Sequence, residues 1–178
     1  MFKLDKRLII FSKIFAYILL FILIIIVGLF LLRRFSHSEI DDVTPGIPCE
    51  QEYISKSDVL WVIPIFENKS IADNLLWCNE IKSLNKTLGM HGVHHTFNEF
   101  NYDRDVNYVL EGISAFKACF GYFPQVFKSP QLKLNNYNRI LLKSLGFKVD
   151  EYFNQITHKV YHCSDSGGFY SNRFNDLI

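Results

Sequence analysis

Two short clusters in this chain hold residue types that do metal and proton chemistry. The first is Ile40-Asp41-Asp42-Val43-Thr44-Pro45-Gly46, and the second is Met90-His91-Gly92-Val93-His94-His95-Thr96. Carboxylates and imidazoles together suit a divalent cation, typically zinc. Two acids with two histidines at i and i+4 supply three ligands and one spare carboxylate. Three protein ligands leave a coordination position open, as a catalytic rather than a structural site requires. The spare carboxylate is then available as a general base toward an attacking water. Asp before Thr-Pro-Gly is also good turn chemistry, so the acids alone are ambiguous. The histidine spacing matches no closed structural zinc pattern. Adjacent side chains of an extended chain point to opposite faces. Asp41 and Asp42 are therefore expected to divide the work, one holding metal and the other facing the substrate water.

Elements must bring the two clusters together. The residue pattern predicts strands over 39–43, 58–66, 122–127, 147–152 and 160–164, with a further short strand delivering His91. Helices are expected from Ser70 or Asp73 to about Leu88, closed by Gly89; from about 105 to 120, closed by Gly121; and over 135–145, stopped by Gly146. In the first of these, Leu75, Leu76, Ile81 and Leu84 are placed on or near one face. Thr44-Pro45-Gly46 and Ser166-Gly167-Gly168 read as turns. Strands alternating with helices point to βαβ units and a parallel sheet or barrel. Function in such folds collects at the carboxyl ends of strands. The acid pair, the histidine loop, Lys128-Ser129-Pro130 and Asp165 all fall at expected strand ends, which supports one shared site.

From Ile14 to Leu32 no residue is charged, and nearly all are Ile, Leu, Phe or Val. That run is long enough to cross a hydrocarbon core of ~30 Å and longer than the apolar part of a cleaved signal. Lys3, Lys6, Arg7 and Lys13 precede it, which favours an inside N-terminus and an outside C-terminus. The expected organisation is a cytoplasmic segment 1–13, a membrane-spanning signal anchor 14–34, a linker 35–38 and one domain over 39–178. The net charge of +1 across 178 residues and the lack of a basic stripe argue against a nucleic-acid partner. Four cysteines form no CxxC pair, so a zinc ribbon is a poor reading. Disulfides are permitted outside the membrane in three connectivities, and buried free thiols remain the other option. Asn68-Lys69-Ser70 and Asn85-Lys86-Thr87 are glycosylation sequons in a suitable host.

The order of motifs adds a family resemblance. Asp-Asp, then His-x-x-x-His, then an aromatic-basic-x-Pro loop resembles the polysaccharide deacetylases, carbohydrate esterase family four. The likeness is greater to a small branch reading (R/I)DDxxP and then HGxxH, here IDDVTP and HGVHH. It covers the chain from about Glu39 onward. It implies an α/β fold, a distorted or partial (β/α) barrel preceded by one transmembrane helix. It implies that Asp42, His91 and His95 bind a divalent metal and that Asp41 is the base. The reaction implied is removal of N-acetyl groups from cell-envelope or extracellular polysaccharide. A non-catalytic glycan-binding relative anchored in the membrane is the second reading.

Three further correspondences follow from the resemblance. Phe127-Lys128-Ser129-Pro130 matches a motif that usually begins with Arg, so Lys128 stands where an Arg orients the base. Lys lacks the bidentate fork of Arg. The Ser164–Gly168 segment, with Asp165, looks like a pattern of the small branch and puts Asp165 at the site rim. The family's last motif supplies a histidine that protonates the leaving amine, whereas the last histidine here is His162. His94 and His162 are the residues left to substitute for it. About 140 residues follow the anchor, fewer than the ~200–250 usual for a complete α/β barrel. The expectation is a domain incomplete at its C-terminal end.

Overall fold

Short apolar strand sequences and amphipathic helices set the architecture. The computed structural model describes residues 6–150, 154–165 and 171–177. Helix α1 (Lys6–Phe35) is followed by β1 (Ser38–Val43), α2 (Gln51–Lys56) and β2 (Val59–Val62). A two-stranded antiparallel pair, β3 (Ile65–Phe66) and β4 (Lys69–Ser70), leads to α3 (Leu75–Ser83) and β5 (Thr87–His91). Then come α4 (Val106–Phe120), β6 (Val126–Lys128), α5 (Asn136–Ser144), β7 (Lys148–Asp150), α6 (Asn154–Thr157), β8 (Lys159–His162) and α7 (Asn172–Leu177).

Six strands form one sheet in the order β7-β6-β5-β2-β1-β8, and every pairing in it is parallel. Side chains from β1, β2, β5, β6 and β7 line one interior cavity of about 210 Å³. The sheet therefore curls into a partial barrel whose two edges are β7 and β8. Its bore is narrow: a Cβ on Gly89 would stand 2.4 Å from Trp61 Cζ3 and 2.8 Å from Val126 Cγ2. Parallel strands covered on both faces lose the strict apolar and polar alternation of half-solvated sheets. The outward face carries Ile40, Leu60, Val62, Met90 and Phe127, all fully buried.

Helix α4 covers much of that face. Val109, Ile113, Phe116 and Phe120 recur at helical spacing and are buried. Each such side chain contributes roughly 1.5–3 kcal/mol through burial. Gly112 lets the helix approach β5 and the loop after it, since a Cβ there would already lie 3.1 Å from Met90 Cε and 3.0 Å from Val93 Cγ2. Asp105 caps the start by accepting from the Tyr108 N–H, and Gly121 ends the helix in the left-handed region at φ 85°. Two disulfides join the elements. Cys78–Cys119 ties α3 to α4, and Cys49–Cys163 ties the segment after β1 to the residue after β8. All four cysteines are thus paired, which excludes free thiols.

Helix α1 exposes its apolar side chains from Ile10 onward, and residues Ile10–Phe35 are long and apolar enough to cross a membrane. Near its end, Arg33 Nη2 donates to Asn175 Oδ1 of α7.

Several expected boundaries move. The linker is shorter than 35–38, because Ser38 pairs with Lys159 and already belongs to β1. The 58–66 run splits into β2 and β3. The helix expected to reach Leu88 stops at Ser83, and Leu88 and Gly89 lie in β5. Gly89 is thus no helix terminator; it makes room for Trp61 inside the barrel. Leu75 and Leu76 are exposed, and Cys78 and Ile81 face the core instead. Asn74 caps α3 by accepting from the Trp77 N–H, while Ser70 caps the short turn before it. The Ser166-Gly167-Gly168 turn lies outside the described residues.

Candidate active site

The carboxyl ends of β1, β5, β6 and β8 converge on an open cleft of about 600 Å³ lined by Asp41, Asp42, His91, His95, Ser129 and His162 among others. Glu39 and Asp41 alternate onto the barrel interior, as i and i+2 do in a strand. Regular extension then fails. Asp42 adopts φ 65°, and the register of β1 against β2 shifts between Ile40 and Val43. A non-glycine residue in this region costs roughly 1–2 kcal/mol, and such residues gather at functional sites. As a result both carboxylates face the same cleft, contrary to the opposite-face expectation for an unbroken strand. They still make different contacts there.

His91 ends β5 and pairs in register with Lys128 of β6. Its Nδ1–H donates to the Lys128 carbonyl at 3.1 Å, which leaves Nε2 turned toward Asp42 Oδ1 at 3.5 Å. A backbone carbonyl on the remote nitrogen is the arrangement that orients a metal-binding imidazole. His95 Nε2 lies 2.9 Å from the same Asp42 Oδ1. The ligand atoms of Asp42, His91 and His95 all fall within 4.8 Å of one another. Two imidazole nitrogens and one carboxylate oxygen, open toward a cleft, fit a divalent ion of the zinc type by donor chemistry. Ser164 Oγ donates to Asp42 Oδ2 and steadies the other carboxylate oxygen.

The histidine loop is held by Glu99, which sequence reasoning missed. Glu99 is fully buried. It accepts from the N–H groups of Val93 at 3.0 Å, His94 at 2.8 Å and His95 at 3.1 Å, and from the Tyr108 hydroxyl at 2.6 Å. One carboxylate thus takes the place of a turn of backbone carbonyls. Gly92, at φ 67°, is required beneath it, because a Cβ would stand 2.2 Å from Glu99 Oε2. His94 turns away from the cleft: its Nε2 is 3.5 Å from Glu111, and its ring packs on Tyr108.

Beneath the histidines lies a buried charge network. Lys128 Nζ donates to Asp41 Oδ1 at 2.8 Å and to Glu39 Oε2 at 3.2 Å, and Trp61 Nε1–H donates to the same Glu39 oxygen at 2.9 Å. Burial raises the Asp41 carboxyl, but the Lys128 ammonium, with His91 and His162, more than offsets it and leaves Asp41 below its ordinary range. Burial alone would lower Lys128, and Asp41 and Glu39 instead hold it above its ordinary value. Glu39 was also missed from sequence, although its place two residues before Asp41 put it on the same strand face. His162, paired in register with Asp41, places Nδ1 3.9 Å from Asp41 Oδ2 and 3.7 Å from Asp42 Oδ2. Burial lowers His162, and contact with Asp42 and the charge of Asp41 reverse that into a net rise. Asp165 is not among the described residues that line the cleft, and its carboxylate accepts from the Asn172 N–H.

No protein-family model and no curated protein sequence matches the chain. Among solved structures, the Bc1960 peptidoglycan N-acetylglucosamine deacetylase aligns with TM-score 0.51 at 10% identity, over 67% of this chain and 65% of that one. The chitin deacetylase from the fungal pathogen Colletotrichum lindemuthianum aligns with TM-score 0.45 at 12% identity, over 63% and 51%. A CE4-family pseudoenzyme from Bacillus anthracis aligns with TM-score 0.47 at 9% identity, over 67% and 48%. The partial barrel has the polysaccharide deacetylase fold. The chain spans from 32% to 66% of the length of such matching structures.

Proposed function

We propose that this chain is a metal-dependent hydrolase that removes N-acetyl groups from a cell-envelope or extracellular polysaccharide. The observation that carries the reading is the separation of roles between the adjacent acids: Asp42 Oδ1 faces the imidazoles of His91 and His95, and Asp41 Oδ1 faces the Lys128 ammonium. Asp42, His91 and His95 would hold a divalent metal, zinc by donor type. Such an ion supplies Lewis acidity toward an amide carbonyl and acidifies a neighbouring water. Asp41 takes the proton from the attacking water. Its tie to Lys128 keeps it ionised and aimed at the cleft, and Lys128 fills the orienting role with Glu39 as a second anchor. A Lys buried between two carboxylates needs no bidentate fork, because each oxygen it meets belongs to a different residue.

His162 donates the proton to the leaving amine. It is the cleft-lining imidazole outside the proposed ligand set, and its Nδ1 sits within 4 Å of both acids. His94 is poorly placed for that task, since it packs on Tyr108. Helix α1 anchors the domain as a single membrane span, with residues 1–13 inside and the domain outside. The two disulfides support an oxidising compartment.

Acetate release from N-acetylated oligosaccharides by the zinc-loaded chain tests the reading. Turnover in the wild type and its loss in His91→Ala is the expected result. Glycan binding without acetate release across chitin-type and peptidoglycan-type substrates would replace it with the non-catalytic alternative.

A further inference from the structure

The base of the barrel repeats the chemistry of its top. His37 lies just before β1 and His158 just before β8, and the two strands pair in parallel from Ser38 against Lys159. That register sets the two imidazoles side by side, with ring centroids 4.1 Å apart. Glu39 reaches them from inside the barrel. Its Oε1 is 3.0 Å from His37 Nε2, and the ligand atoms of His37, Glu39 and His158 all lie within 4.8 Å of one another. The cluster opens on the interior cavity bounded by Glu39, Trp61 and Asp150.

We propose that His37, Glu39 and His158 form a second divalent-metal site, at the end of the barrel opposite the cleft, that takes zinc or a similar borderline cation. Two imidazoles and a carboxylate are a zinc-type donor set. The supporting contacts have the form expected around metal ligands. Thr157 Oγ1 lies 2.9 Å from His158 Nδ1 and helps to orient that ring. Trp61 Nε1 and Lys128 Nζ both hold Glu39 Oε2, which fixes the carboxylate and keeps Oε1 directed at the imidazoles. Charge points the same way. Glu39 and Asp41 are both buried and share one ammonium, Lys128. A cation at Glu39 Oε1 would add to the Lys128 ammonium and the His37 imidazole that already face this buried carboxylate.

The position gives the site a task. It would clamp the residues joining α1 to β1 onto those joining α6 to β8, and so fix the barrel to the helix that precedes it. Glu39 also connects it through Lys128 to Asp41. The site requires nothing of the reaction proposed for the cleft.

Zinc stoichiometry of the full chain in detergent micelles tests it. After chelator stripping, zinc reloading and desalting, the wild type is expected to retain two zinc ions per chain. His37→Ala/His158→Ala and His91→Ala/His95→Ala should each retain one, and the quadruple variant none. No zinc in the wild type, or the same zinc content in His37→Ala/His158→Ala as in the wild type, overturns the proposal. The two pairs are measured separately, so a lost cleft site is distinguishable from a lost basal site. A cobalt titration of His91→Ala/His95→Ala leaves the basal residues intact and guards against misfolding there. Uptake of one Co²⁺ with a ligand-field absorption band is expected, and no uptake overturns the proposal.

Discussion

Asp41 and Asp42 are consecutive in the chain, yet they are bonded to opposite walls of one cleft. Asp41 Oδ1 accepts from Lys128 Nζ at 2.8 Å, whereas Asp42 Oδ1 stands 2.9 Å from His95 Nε2. The left-handed turn at Asp42 makes this possible. An extended Asp42 would point to the outer face of the sheet, and the histidines would lose their nearest carboxylate.

Lys128 is the counter-ion of two buried carboxylates, so Lys128→Met should destabilise the domain by roughly 3–5 kcal/mol. The pH sign follows from the shifts. Asp41 is depressed, so its contribution is present above about pH 4 and is lost as pH falls through its folded value. Lys128 is raised, so its contribution is present below about pH 10 and is lost as pH rises through its folded value. Between those limits the pair should leave stability flat. In Lys128→Met the burial of Asp41 is no longer offset, and the acid-unfolding midpoint should move to higher pH. Circular dichroism melts from pH 3 to 9 check this; an unmoved midpoint would separate Lys128 from Asp41.

Glu99→Gln should loosen the histidine loop. The variant keeps an acceptor oxygen but puts an NH2 group where Glu99 accepts from backbone N–H groups and from Tyr108. A cost of about 1–3 kcal/mol in stability is expected. A roughly 10–100-fold loss of zinc affinity should accompany it, as for other residues that orient ligands. Competition with a chromophoric chelator measures the affinity.

Reduction should weaken the domain unequally at its two bridges. Cys49–Cys163 closes a sequence separation of 114 and Cys78–Cys119 one of 41. Loop-closure entropy assigns them about 5 and about 4 kcal/mol. The larger functional effect should come from Cys49→Ala/Cys163→Ala, because that bridge sits beside the β1 and β8 ends carrying Asp42 and His162. Thermal melts and zinc affinity of the two double variants report it.

Much of this arrangement was legible in the residues. Strand-end clustering of the acids, the histidine loop and Lys128 followed from alternating apolar runs and helix caps, and α4 is read well because Asp105 and Gly121 mark its ends. What escaped was tertiary. Gly89 looks like a helix stop, and only the bore of the barrel explains it, through Trp61. Glu99 and Glu39 look like surface acids until the fold supplies three backbone N–H groups to one and a lysine to the other. The left-handed Asp42 breaks the strand alternation on which the opposite-face expectation rested. The pairing of the cysteines depends on which helices and strand ends meet, and spacing alone does not encode it.

The most direct measurement is made on one preparation of Asp41→Asn, with zinc content and acetate release determined together. Asparagine keeps the size of the side chain and removes its capacity to accept a proton. The account predicts wild-type zinc in the cleft with acetate release reduced by about 10²-fold or more. Acetate release at the wild-type rate by zinc-loaded Asp41→Asn would contradict it.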